Sequence, residues 1–269
     1  MDLQLDGKRA LVTGASAGTG SAIAKMLAAE GAAVVVHGRD RERSEAVAEE
    51  IRSEGGKAAV VLGDLSTQDG ADQVAIDALD AFGGVDILVN NAGLIGSYES
   101  WDDTTDEDWA HMYDGVVIVL VRLIKALKEH MRESGWGRIV NIASAQSAQP
   151  FGMMPDYAAA KSAIPNMTKS LSKHLDRSGV TANVVSPGII VTERIRERMT
   201  EAAKQEGRST EWSDIEEHVL STELDNPTGR LARPEDVASV VTFLSSPRVG
   251  YINGANIRVD GGSILTTQP

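Results

Sequence analysis

Short runs of β-branched and aliphatic residues recur along this chain at 9–12, 33–37, 58–62, 86–90, 138–142, 181–185 and 256–259, with longer helical patterns between them. Such alternation predicts an α/β fold with a mostly parallel sheet of seven strands, because each parallel strand is reached by a crossover long enough to hold a helix. Most of the runs are apolar at consecutive positions instead of at every second one. Strands of that kind are covered on both faces, so helices are expected on both sides of the sheet. Helical patterns at 21–30, 41–54 and 234–244 fill three of the gaps. No linker divides the chain, and a doubly wound sheet can absorb all 269 residues in a single domain, 1–269.

The formal net charge of -13 argues against nucleic acid and anionic membrane surfaces as partners, so any bound anion must be held by local geometry. The absence of cysteine removes disulfides, thiolate metal sites and a thiol nucleophile. No two histidines have metal-ligand spacing, so no metal is expected, and His37, His111, His130 and His174 read as ordinary surface or helix-flank residues. The purest apolar run, 115–121, is far shorter than the ~20 residues of a membrane helix. The first residues show no basic start followed by an apolar stretch, which predicts a cytoplasmic protein without a signal peptide.

One segment breaks the rhythm. From 193 to 228 the chain is polar, helix-prone and much longer than a strand-to-helix connection requires. It is expected to form a helical lid, with Ile195, Met199, Trp212, Ile215, Val219 and Leu220 near helical spacing; simple packing of an insertion against the body is the alternative.

The first strand runs into Thr13-Gly14-Ala15-Ser16-Ala17-Gly18-Thr19-Gly20 and then a helix. Small residues there let the backbone approach a pyrophosphate, and the helix N-terminus supplies free amides and partial positive charge. Tight packing of strand on helix would use the same residues. Gly14-x-Ser16-x-Gly18 also fits the nucleophile elbow of an α/β hydrolase with Ser16 attacking. That fold needs an acid and then a histidine downstream, and the last histidine, His218, lies inside the polar insertion.

Tyr157 and Lys161 stand four residues apart, so on a helix they share a face. A free tyrosine has a pKa near ~10, and a neighbouring ammonium favours the phenolate, which brings proton exchange within reach of neutral pH. Ser144 follows the strand that ends at Ile142, where its hydroxyl can hold a carbonyl oxygen. A lone Tyr-x-x-x-Lys is common on solvated helices.

Together, Thr13 to Gly20, Asn90-Asn91-Ala92-Gly93, Ser144 with Tyr157 and Lys161, Ser186-Pro187-Gly188, and the tail Gly250 to Gly254 and Val259 to Gly262 resemble the short-chain dehydrogenase/reductase family in order and spacing over nearly the whole chain. The resemblance implies a Rossmann-type domain that transfers hydride between a nicotinamide and a carbonyl or secondary-alcohol carbon, with a ketone or 3-oxoacyl group as the substrate class. It implies Tyr157 as acid/base, Lys161 on the nicotinamide ribose, and Ser144 on the substrate oxygen. It also implies cofactor contacts from Gly14, Ser16, Gly18, Thr19, Gly20, Asp64, Leu65, Asn91, Ala92, Gly93, Pro187, Gly188, Ile190 and Thr192. Asp64 would accept from the adenine amino group, Asn90 and Gly93 would line the adenosine side, and the assembly would be a homotetramer or a dimer. Capping of the following helix is the other reading of Asp64.

An NAD-binding unit places an acidic residue at the end of the second strand. Here Gly38 holds that position and Arg39 follows, which suits a 2'-phosphate and favours NADP(H) over NAD(H); Asp40, and Ala17 where a basic residue is common, count against it. Leu94, Ile95, Tyr98, Phe151, Met153, Met154 and Trp212 are expected to line a mostly apolar substrate site. The family carries an asparagine seven residues after a tryptophan, where it helps hold a proton-relay water near the lysine. Seven residues after Trp109 stands Val116, and no asparagine occurs between Asn91 and Asn141. The sequence is compatible with an enzyme that has an altered relay and with a non-catalytic NADP(H) sensor.

Overall fold

The computed structural model describes residues 1–96, 99–222 and 225–266. Its strands are β1 (Arg9–Val12), β2 (Ala33–Gly38), β3 (Lys57–Leu62), β4 (Ile87–Asn90), β5 (Gly137–Ile142), β6 (Val180–Pro187) and β7 (Asn256–Val259). They form one sheet in the order β3-β2-β1-β4-β5-β6-β7, and every neighbouring pair is parallel. The winding reverses between β1 and β4. In a sheet of this type ligands bind beyond the carboxyl ends of the strands at that reversal.

Helices α1 (Gly18–Ala29), α2 (Arg41–Ser53) and α9 (Pro234–Leu244) cover one face. On the other lie α3 (Gln68–Phe82), α5 (Val119–Glu133) and α6 (Pro155–His174). Successive strand residues feed opposite cores. Leu11, Val35, Leu88 and Ile139 pack with Leu123, Leu127 and Ile164, whereas Val12, Val34, Val36, Val89 and Val140 pack with Ile23, Leu27 and Val241. Both sets are buried, which explains the unbroken apolar runs.

The first helix begins at Gly18, three residues before the apolar pattern becomes legible at Ser21. Helix α4 (Asp106–Tyr113) starts at a capping box formed by Thr105 and Asp108, then runs through a π-helical turn, Asp114–Ile118, into α5. The insertion at 193–228 contains α7 (Glu193–Gln205) and α8 (Trp212–Thr222). The Arg196 guanidinium lies 4.0 Å over the Trp212 ring, and Ala203, Ile215 and Val219 are buried. Among the described residues no helix is long and apolar enough to cross a membrane.

Candidate active site

The glycine-rich turn is crowded at its glycines. A methyl group added at Gly20 would lie 2.2 Å from the Gly14 carbonyl oxygen, and Gly14 and Gly18 adopt φ of 61° and 56°. Such backbone suits glycine. Ala17, the N-cap of α1, offers no side-chain acceptor, so the first-turn amides are left for an anion. The Thr13 hydroxyl oxygen accepts from the N–H groups of Asn91 (3.0 Å) and Ala92 (2.9 Å), and Asn91 Nδ2 donates back to the Thr13 carbonyl (2.9 Å). The turn after β1 and the loop after β4 are therefore one unit. Its backbone-lined cradle fits a pyrophosphate.

At the end of β2, a methyl group on Gly38 would meet Ser44 Oγ at 2.4 Å and Ser16 Cβ at 3.0 Å. An acidic side chain has no space there. Arg39 is exposed beside it, and Asp40 caps α2, its Oδ1 accepting from the Arg43 N–H at 3.0 Å. The carboxylate that spoke against a 2'-phosphate is thus engaged in its own helix.

Asp64 is exposed, and Oδ1 accepts from the Ser66 N–H (3.0 Å). Its pKa is held below the usual carboxylate value, first by that backbone bond and then by the Ser66 hydroxyl. The cap of α3 is Thr67, not Asp64. Leu65 beside it is buried. On the opposite side Pro187 ends β6, the Gly188 N–H donates to the Val259 carbonyl (3.0 Å), and Ile190 pairs with Ala232. Thr192 caps α7, and its methyl carbon would stand 3.1 Å from a methyl added at Gly18, so the start of α7 abuts the glycine turn.

Two expectations need correction. Asn90 does not line an adenosine site through its side chain: it is buried, and Nδ2 donates to Asn141 Oδ1 (2.8 Å) because the two asparagines are register partners on adjacent strands. Asn141 Nδ2 donates in turn to Thr168 Oγ1 (2.9 Å) on α6. His37 is not a surface residue but is 3% exposed near the carboxyl end of β2, between β1 and β3. Burial pushes its pKa down to about 4.

The chemistry-bearing residues converge past β5. Ser144 starts a 3-10 turn, Ala145–Ser147, and its Oγ accepts from the Gln146 N–H (3.2 Å). Pro155 opens α6 with its fixed φ, and Tyr157 and Lys161 follow on one face. Lys161 is buried; its Nζ donates to the Ile142 carbonyl (3.0 Å) and lies 5.7 Å from the centre of the Tyr157 ring. Burial lowers its pKa to about 8. Gly96 presses on Tyr157, where an added methyl would come within 2.8 Å of both Tyr157 Cβ and Met154 Cε. A phenol, an ammonium and a hydroxyl so grouped can give a proton to a carbonyl oxygen and hold that oxygen in place.

Val116 is fully buried in the apolar core within the π-helical turn. A methyl group at Gly93 would lie 3.7 Å from the Gly115 carbonyl oxygen and 4.0 Å from Lys161 Nζ, so Gly93 sits between the π-helical turn and the lysine. Of the residues expected to line the substrate site, Leu94 and Trp212 are half-buried, Met154 is buried, and Ile95, Phe151 and Met153 are exposed; Tyr98 lies outside the described residues. The structure adds polar atoms that the sequence did not disclose. Gln146 Oε1 and Ser147 Oγ, just past Ser144, are buried with no hydrogen-bond partner.

Ser16 stands against Gly38, and both ring nitrogens of nearby His37 are bonded to backbone, Nδ1 to Gly14 and Nε2 to Gly63. Among the described residues no histidine is seen bonded to Ser16, which removes the hydrolase alternative. Residues 8–203 match the profile of the short chain dehydrogenase family. The chain belongs to that family. It is 34% identical over 263 residues to the 3-oxoacyl-[acyl-carrier-protein] reductase FabG of Vibrio cholerae, covering 98% of this chain and 100% of the relative. The crystal structure of L-sorbose reductase from Gluconobacter frateurii, complexed with NADPH and L-sorbose, superposes with a TM-score of 0.93 at 35% identity, covering 99% of this chain and 100% of that one. A 3-oxoacyl reductase structure from Agrobacterium tumefaciens with NADP bound gives a TM-score of 0.85 at 32% identity over 96% of this chain and 95% of that one. This dehydrogenase-family chain is an oxidoreductase with a fully parallel Rossmann-type sheet.

Proposed function

We propose that this oxidoreductase binds NADP(H) and interconverts a small ketone and its secondary alcohol. The observation that carries the reading is the group Ser144, Tyr157 and Lys161 past the end of β5, beside a backbone cradle that only glycine can form. The bound nicotinamide supplies or accepts the hydride. Tyr157 gives its hydroxyl proton to the carbonyl oxygen, Ser144 donates a hydrogen bond to the same oxygen, and the Lys161 ammonium favours the phenolate left behind. Gly14, Ser16, Gly18, Thr19 and Gly20 hold the phosphates; Arg39 takes the 2'-phosphate. Asp64, Leu65, Asn91, Ala92 and Gly93 form the adenosine side, and Pro187, Gly188, Ile190 and Thr192 the nicotinamide side.

The substrate we infer is a hydroxylated ketone. Gln146 Oε1 and Ser147 Oγ follow Ser144 in the chain and have no hydrogen-bond partner, so a substrate hydroxyl that reached either of them would restore a missing bond. The L-sorbose reductase likeness supports the same class. The test is NADPH consumption by purified protein with hydroxyketones, plain aliphatic ketones and a 3-oxoacyl thioester. Turnover of the hydroxyketones with the highest kcat/KM is expected; preference for the thioester would overturn the substrate reading.

The altered relay position favours one competing reading, a protein that binds NADP(H) without turning it over. Val116 is buried at the position where the family resemblance implies an asparagine. The intact Ser144, Tyr157 and Lys161 speak for catalysis, since they carry the proton step and the asparagine only resupplies it.

A further inference from the structure

His37 occupies an unusual place for an imidazole. It lies in β2, one residue before Gly38, and its ring reaches both neighbouring strand ends. The Gly14 N–H donates to Nδ1 (3.3 Å), and Nε2 lies 3.2 Å from the Gly63 carbonyl oxygen. A backbone N–H is always a donor, so Nδ1 must be the unprotonated nitrogen, and Nε2–H donates to Gly63. The neutral ring alone satisfies both. Burial keeps it neutral by pushing its pKa to about 4; Arg39 acts in the same direction, whereas the Gly63 bond and Asp64 oppose it.

The two bonds span the carboxyl ends of β1, β2 and β3. Gly14 belongs to the glycine turn after β1, and Gly63 precedes Asp64 and Leu65 after β3. Backbone bonds run along the same line, from the Ala15 N–H to the His37 carbonyl (2.8 Å) and from the Gly63 N–H to the Gly38 carbonyl (3.2 Å). Thr13 ties the turn to the loop after β4 on the other side. No other side chain among the described residues is seen to join the turn to the end of β3.

We propose that His37 is a positioning residue that sets the separation between the phosphate turn and the adenine-side loop, and so governs affinity for the adenosine half of the cofactor and not the hydride step. The proposal rests on the NADP(H) reading above. An apolar residue at 37 leaves the Gly14 N–H and the Gly63 carbonyl unpaired inside the protein, and the loops relax toward water to satisfy them.

The experiment compares wild type with His37→Phe and His37→Asn, measuring Kd for NADPH and for adenosine 2',5'-bisphosphate, kcat at saturating NADPH, and KM for reduced nicotinamide mononucleotide, which lacks the adenosine. The phenylalanine variant should bind both adenosine ligands about tenfold more weakly, or ~1.4 kcal/mol. Its kcat and its KM for the mononucleotide should stay within about twofold of wild type. The asparagine variant, with an acceptor and a donor on a shorter arm, should fall between the two. Unchanged NADPH affinity, or equal losses for NADPH and the mononucleotide, would overturn the proposal. If the phenylalanine variant does not fold, the asparagine variant decides by the same comparison. A wild type that binds no NADPH refutes the cofactor reading itself, a result distinct from an unchanged affinity in the variants.

Discussion

Lys161 holds its ammonium 5.7 Å from the centre of the Tyr157 ring, one helical turn along α6, while donating to the Ile142 carbonyl at 3.0 Å. The strand end thus fixes the cation and the helix fixes the phenol. Neither depends on a mobile loop.

That pairing sets a pH dependence. Burial lowers the Lys161 pKa to about 8, so its charge is present below that pH and is lost as pH rises through it. Reduction also requires a proton on Tyr157. Both requirements fail in the same direction, so kcat/KM for NADPH-driven reduction should be level near neutrality and fall above pH of about 8. A profile that rises steadily to ~pH 10 would contradict the role given to Lys161.

Arg39 stands beside Gly38, where Ser16 and Ser44 exclude an acidic side chain. Arg39→Ala should reduce the preference for NADPH over NADH. A charge-assisted hydrogen bond contributes ~1.5–3 kcal/mol, so the ratio of kcat/KM for the two cofactors should drop by about 10- to 150-fold. A wild type that already prefers NADH would refute the assignment.

Val116→Asn places a carboxamide in an apolar core. It should cost about 1–3 kcal/mol of stability in urea unfolding, and it should change turnover less than Tyr157→Phe does. A wild type that binds NADPH tightly without turnover, combined with turnover in Val116→Asn, would show that the valine had disabled the enzyme.

The strands were legible because both faces are buried, which writes itself as consecutive apolar residues. Tyr157, Lys161 and Ser144 were legible because their spacing follows one helix and one strand end. His37 was not, since a polar residue at a strand end reads alike whether it faces water or a neighbouring turn. The Asn141–Thr168 bond joins residues 27 apart and leaves no local pattern. The start of α1 at Gly18 was hidden for a similar reason: small residues carry no periodicity, and packing decides their conformation. The unpaired atoms of Gln146 and Ser147 depend on what fails to approach them, which only the fold reveals.

The central claim is that Tyr157 is the proton donor of an NADPH-dependent carbonyl reduction, and single-turnover kinetics with Tyr157→Phe test it most directly. NADPH affinity should be retained within about twofold, because the ring still packs, while the rate of NADPH oxidation on the best wild-type ketone should fall by about 10²- to 10⁴-fold. A variant that keeps most of the wild-type rate on that ketone would contradict the account.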